Sequence, residues 1–90
     1  MVKVGKYDYL KSNKQNKKLM VNINDKWVHF GDTRYQHYKD RSGIWSKMDH
    51  KDDERRKKYL ARATKIKNKN GDLTANDPSS PNYHAIRILW

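Results

Sequence analysis

Arg55, Lys58, Arg62 and Lys65 recur at three- and four-residue spacing, which places four cations along one stripe of a helix. From Arg55 to Lys69 there are eight basic residues and no acidic one, so Lys67 and Lys69 extend the run. Such a stripe performs charge neutralisation: each cation set against a phosphate releases condensed counterions. A second candidate surface lies upstream. Met20, Trp27 and His29 fall out of phase with the apolar positions of their strands, and lysines surround them, among them Lys14, Lys17 and Lys18. A face of that kind stacks bases or enters a groove. Each surface has a plainer reading. The helix stripe is equally a solvated back, helped by Glu54 and Lys58 at i,i+4, and the sheet face is equally one covered by the C-terminal segment.

Other chemistries find less support. His29, His37, His50 and His84 show neither H-x-x-x-H nor H-E-x-x-H spacing, and there is no cysteine beside them, so no metal is expected. Asp49, Asp52, Asp53 and Glu54 cluster as magnesium ligands do in nucleases. The start of a helix already accounts for them, because carboxylates cap its free amides and oppose its dipole. Neither a phosphate-cradling glycine loop nor a nucleophile elbow is present. The expectation is a protein that is not an enzyme and has no cofactor.

Ninety residues of which 34% are hydrophobic can build one small core, resting on three Trp, six Tyr and one Phe. The mean hydropathy of -1.29 makes each of those side chains count. Twenty-one Lys and Arg against ten Asp and Glu give a formal charge of +11 and a pI near 10.0. A polyanion is the partner that such a charge suits. Without cysteine there are no disulfides. No apolar run approaches the length of a membrane span and the first residues lack a signal-like apolar core, so a soluble, intracellular protein with no membrane partner is expected.

The elements that must position these residues can be read in order. Residues 1–31 predict a three-stranded β-meander. Val2 to Leu10 forms its first strand, with Tyr7 and Tyr9 on one face; Leu19 to Ile23 and Lys26 to Phe30 come next, joined by a two-residue Asn24-Asp25 turn. That turn sets Ile23 opposite Lys26, Val21 opposite Val28 and Leu19 opposite Phe30, which puts the apolar residues on one face. Residues 32–48 predict a short helix from Thr33 to Lys39, then a connection whose Ile44 and Trp45 plug one end of the core. Residues 49–69 predict the main helix, with Asp49 as N-cap and Gly71 as C-cap; its Tyr59, Leu60, Ala63 and Ile66 form the stripe that covers the sheet. Residues 70–90 predict a loop and a docked C-terminal segment opened by Ser80-Pro81. The fold class is α+β, a three-stranded antiparallel meander packed on one main helix within a single domain.

From His50 to Arg62 the chain reads H-K-D-D-E-R-R-K-K-Y-L-A-R. There it resembles a family of short basic proteins encoded by large DNA viruses, with similar proteins in marine tailed phages. In those sequences a strand ending in Phe-Gly precedes spaced tyrosines, an H-K-D-x-E-R-[KR]-x-x-Y-[IL]-x-R helix and a tryptophan-containing apolar close. Phe30-Gly31, Tyr35, Tyr38, the helix and Ile88-Leu89-Trp90 match in that order, over about two thirds of the chain. Ser79-Ser80-Pro81-Asn82-Tyr83 replaces the family's glycine- and tryptophan-rich approach to its ending. The resemblance implies a viral or phage origin, and with it the host cytoplasm, a virus factory or the virion as location. It brings no activity and no site residues. The expectation is an accessory protein that binds DNA or RNA through phosphate contacts. The alternative is a virion structural piece, a cement or minor capsid protein, whose positive charge meets acidic capsid protein or packaged genome.

Overall fold

The computed structural model describes residues 2–90. Four strands, β1 (Val2–Val4), β2 (Tyr7–Lys11), β3 (Lys17–Ile23) and β4 (Lys26–Asp32), form one antiparallel sheet in sequence order. Helix α1 spans Asp53–Ala63 and α2 spans Pro81–His84, running on as a π-helical turn over Ala85–Leu89. Single 3-10 turns cover Ser46–Met48 and Thr74–Asn76. The fold is α+β, with one strand more than expected. Gly5 takes φ +63° and folds the chain back between Val4 and Tyr7, so what reads as one strand is a hairpin. The β3–β4 register is the expected one: Ile23 faces Lys26, Val21 faces Val28 and Leu19 faces Phe30. Asn24 and Asp25 both take positive φ, 50° and 68°, which matches the right-handed twist of the flanking strands.

The apolar face of the sheet is covered by a different element from the one expected. Tyr9, Leu19, Val21, Ile23, Val28 and Phe30 pack with Ala85, Ile88 and Leu89. The C-terminal segment therefore closes the core, and the other sheet face is not its seat. Ile44 and Trp45 are part-buried against this cluster. Of the expected α1 stripe only Ala63 is buried; Tyr59 and Leu60 are part-buried and Ile66 is 46% exposed. A helix whose sequence is D-E-R-R-K-K-Y-L-A-R-A offers little apolar area, whereas Ile88-Leu89 is narrow, apolar and covalently placed to dock. The backbone carbonyls at the end of that docked turn are then satisfied from outside: the Lys39 and Arg41 amides donate to Leu89 and Ile88 oxygens at 3.0 Å each, and Arg56 Nε donates to the Trp90 oxygen at 2.8 Å.

Two further expectations are corrected by backbone pairing. Residues 33–39 form a turn and bend, not a helix, because their polar groups pair across the chain. The His37 amide donates to Met48 O, and the His50 and Lys51 amides donate to His37 O and Tyr38 O. The main helix is shorter than 49–69 at both ends. Its N-cap is Asp52, whose Oδ1 accepts from the Glu54 and Arg55 amides at 3.0 and 3.3 Å. Asp49 instead belongs to an interior network around Lys18 and His37. At the other end Thr64 Oγ1 donates back to Leu60 O at 2.6 Å, and Gly71 (φ +85°) serves a separate loop in which Lys67 pairs with Leu73.

Gly31 is the position where the backbone permits no other residue cheaply. Its φ is +77°, and a Cβ there would lie 2.9 Å from Leu89 Cδ1 and 3.0 Å from Lys18 Cβ. Gly31→Ala is expected to lower stability by about 1–3 kcal/mol, from left-handed strain plus overpacking. A urea melt of the variant that superposes on wild type would show that Leu89 does not close over this residue.

Candidate functional site

The β3–β4 end, the 35–37 bend, α1 and the C-terminal segment together enclose a cleft of about 710 Å³. Three of the four stripe residues, Arg55, Lys58 and Arg62, line it, and Lys17 joins them from the sheet. Its apolar lining is Phe30, Tyr59, Ala85, Leu89 and Trp90, with Tyr35 also contributing. Helix α1 is held against the C-terminal segment by the Tyr59 ring stacked on Trp90, 4.0 Å between centroids and 10° between planes. Asn82 Nδ2 adds a hydrogen bond to Ala63 O at 2.8 Å. Burial of Tyr59 raises its phenol pKa. Arg55 reaches across the cleft to donate to Gln36 Oε1 at 3.1 Å. Among the described residues the one ion pair is Asp32–Arg34, since His37 meets Asp49 as a neutral ring. No carboxylate among them lies within ion-pair distance of Lys17, Arg55, Lys58 or Arg62. Asp32, at the same mouth, is engaged by Arg34 through two side-chain contacts at 2.8 and 3.0 Å. Those hydrogen bonds hold its pKa down at about 2.

The other sequence-predicted residues lie elsewhere. Lys65 and Lys67 come after the end of α1 and do not line the cleft, because Thr64 closes the helix before them. Lys14 is exposed in the β2–β3 turn, apart from the cleft. Trp27 is 49% exposed on the sheet face that the C-terminal segment leaves open. Met20 sits between Leu10 and His29 on that face, and Ser12 Oγ lies 2.7 Å from His29 Nδ1.

Lys18 is not the surface lysine the sequence suggested. It is 1% exposed, and its ammonium donates to Tyr35 O at 2.6 Å and to His37 Nδ1 at 2.8 Å. Because Nδ1 accepts, Nε2 carries the proton and donates to Asp49 Oδ1 at 2.6 Å. The Asp40 amide donates to the same oxygen at 2.8 Å. Asp40 in turn accepts from the Ser42 amide and hydroxyl and from the Trp45 amide, and Trp45 Nε1 donates to Lys18 O at 2.8 Å. Burial lowers the Lys18 pKa. His37 is likewise lowered, first by burial and then by the Lys18 charge. This chain of bonds ties Tyr35, Gln36 and His37, which form the far wall of the cleft, to the 40–49 segment behind them. Nothing in the sequence announces it, since lysine is among the residues least often buried. The pattern D-x-S at Asp40 and Ser42, typical of a side chain closing its own turn, was the one local signal.

A second buried imidazole braces the core. His84 Nδ1 accepts from Tyr9 OH at 2.9 Å, and its Nε2 donates to Pro78 O at 2.7 Å. Burial lowers the His84 pKa and raises that of Tyr9 to about 12. With both His37 and His84 held below the unfolded value of 6.5, the unfolded chain binds more protons in the interval between. Stability is therefore complete above the unfolded pKa and falls as pH drops through it. Each imidazole contributes a slope of up to about 1.4 kcal/mol per pH unit. Urea unfolding at about pH 7.5 and about pH 5.5 should show the loss, and equal midpoints would mean that both rings are solvated in the fold.

Among the described residues no group of three His, Asp or Glu side chains is placed to hold a metal ion, and no helix is long and apolar enough to cross a membrane. No protein-family model, curated protein or solved structure matches the chain.

Proposed function

We propose that this chain is a small accessory protein, of viral or phage origin, that binds nucleic acid without catalysis through the cleft between the sheet and α1. The observation that carries the reading is convergence: Lys17 from β3 and Arg55, Lys58 and Arg62 from α1 surround one cleft, with no ion-pair partner for any of them among the described residues. Cations gathered from separate elements onto one concave surface focus a field that scattered surface lysines do not. The excess charge of +11 adds long-range attraction to any phosphate backbone.

The test is a titration of labelled single-stranded and duplex DNA and RNA across a series of salt concentrations. A linear fall of log K with log salt is expected, its slope counting the phosphates engaged. Absence of salt-dependent binding to every one of these would overturn the proposal. The virion structural reading then takes its place, and one observation favours it: Trp27 stands half exposed opposite Asn22, on the sheet face that the C-terminal segment leaves open, where a protein partner would bury it.

A further inference from the structure

We infer that the cleft is a pocket for one unstacked nucleotide, with the phosphate on the Lys17, Arg55, Lys58 and Arg62 rim and the base against Tyr35. This rests on the nucleic-acid reading above and makes it narrower, because only a single strand or a free nucleotide can offer an unstacked base.

Three observations lead to it. The first is size and lining. About 710 Å³ is the volume of a small-molecule site. The second is Tyr35, which lines the cleft yet is 65% exposed. A large aromatic left in solvent at a cationic mouth is a stacking platform in waiting, and Arg34, held by Asp32, lies over its ring at 5.7 Å from the centroid. The third is Lys18. It also lines the cleft, it is 1% exposed, and its ammonium makes two neutral hydrogen bonds but no ion pair. Burying an ammonium is costly; Asp32, Asp40 and Asp49 offset part of that cost from beyond ion-pair distance, and a phosphate seated in the cleft would offset more. Rim, platform and inner cation together describe a nucleoside phosphate better than they describe a bare anion or an apolar ligand.

The experiment compares a short homopolymeric DNA strand with a duplex of equal length, for wild type, Tyr35→Ala, Tyr35→Phe and Arg62→Gln, using fluorescence anisotropy. Tyr35 and Arg62 are exposed, so these variants should fold, and far-ultraviolet circular dichroism confirms it. The single strand should bind wild type more tightly than the duplex. Tyr35→Ala should weaken single-strand binding by roughly 5- to 150-fold, the range for loss of one stacked base, leave duplex binding within about twofold, and Tyr35→Phe should restore it. Competition with a nucleoside 5′-monophosphate and with inorganic phosphate separates the sources. Full competition by the mononucleotide, with no gain for longer strands, identifies a free nucleotide as the occupant. Affinity that grows with strand length identifies a nucleotide within a strand. Competition by inorganic phosphate equal to that by the nucleotide would show that no base is held and would overturn the inference. So would equal affinity for strand and duplex with Tyr35→Ala unchanged on both, in which case phosphate binding through the rim still stands. Loss of all binding in the wild type removes both readings.

Discussion

Leu89→Ala is expected to cost about 2–5 kcal/mol of stability, while Leu60→Ala should cost about 1 kcal/mol or less. Leu89 is 1% exposed and packs with Phe30, Leu19 and Ile88 in the core. Its removal leaves a cavity that Gly31, already in close approach, has no side chain to fill. Leu60 is part-buried and lines a shallow surface hollow with the stems of Arg56 and Lys57, so its truncation exposes little that was dry. In a domain of this length 1 kcal/mol moves the melting temperature by about 4–8 °C. The two variants should therefore be separated by at least about 4 °C in a thermal scan, and by well over that toward the upper end of the Leu89 range. The reverse order would mean that α1, rather than the C-terminal segment, closes the sheet.

Replacing Lys17, Arg55, Lys58 and Arg62 together by glutamine is expected to cut the salt slope of single-strand binding by about 0.7 where the four cations share the one phosphate inferred above, and by up to about 2.8 where each meets its own. For duplex DNA tracking along the outer rim the loss is up to about 3.6, since each lost phosphate contact removes about 0.7 for a single strand and about 0.9 for a duplex. Base preference should hardly change, since phosphate contacts position a protein and do not read sequence. The control is a variant with the same loss of charge outside the cleft, Lys14, Lys65, Lys67 and Lys69 to glutamine. It should keep most of the slope, because those side chains do not line the cleft. Equal losses in the two variants would show that binding depends on net charge alone, and the cleft would then have no privileged role.

The two experiments address separate parts of the molecule. Leu89 lies at the junction of core and cleft, whereas the four rim cations are not members of the core cluster. A protein that melts as wild type but has lost its salt slope locates binding on the rim.

By itself the sequence determined the features that arise from local periodicity and from charge. Alternation in Leu19, Val21, Ile23, Val28 and Phe30, with Asn24-Asp25 between the strands, set the β3–β4 register, because a two-residue turn with positive φ leaves no other pairing. The acidic head and basic body of α1, with Arg55, Lys58 and Arg62 on one side, come from a 3.6-residue period in the same way. Ser80-Pro81 marked the start of the last helix, and Ser80 Oγ does accept from the Asn82 amide, at 3.3 Å. What only the tertiary structure decided is which apolar surface covers which. Both Tyr59-Leu60 and Ile88-Leu89 could serve as a lid, and the choice depends on the area each buries against the same sheet face, a long-range quantity no local pattern contains. The 33–39 segment gave up a helix for the same kind of reason, since its amides and carbonyls pair with residues 48–51. Lys18 is the sharpest case. Adjacent lysines in one strand look alike in sequence, yet Lys17 reaches the cleft rim while Lys18 is drawn inside to Tyr35 O and His37. Those partners lie 17 and 19 residues away along the chain, and the cleft exists only once the chain has brought them together.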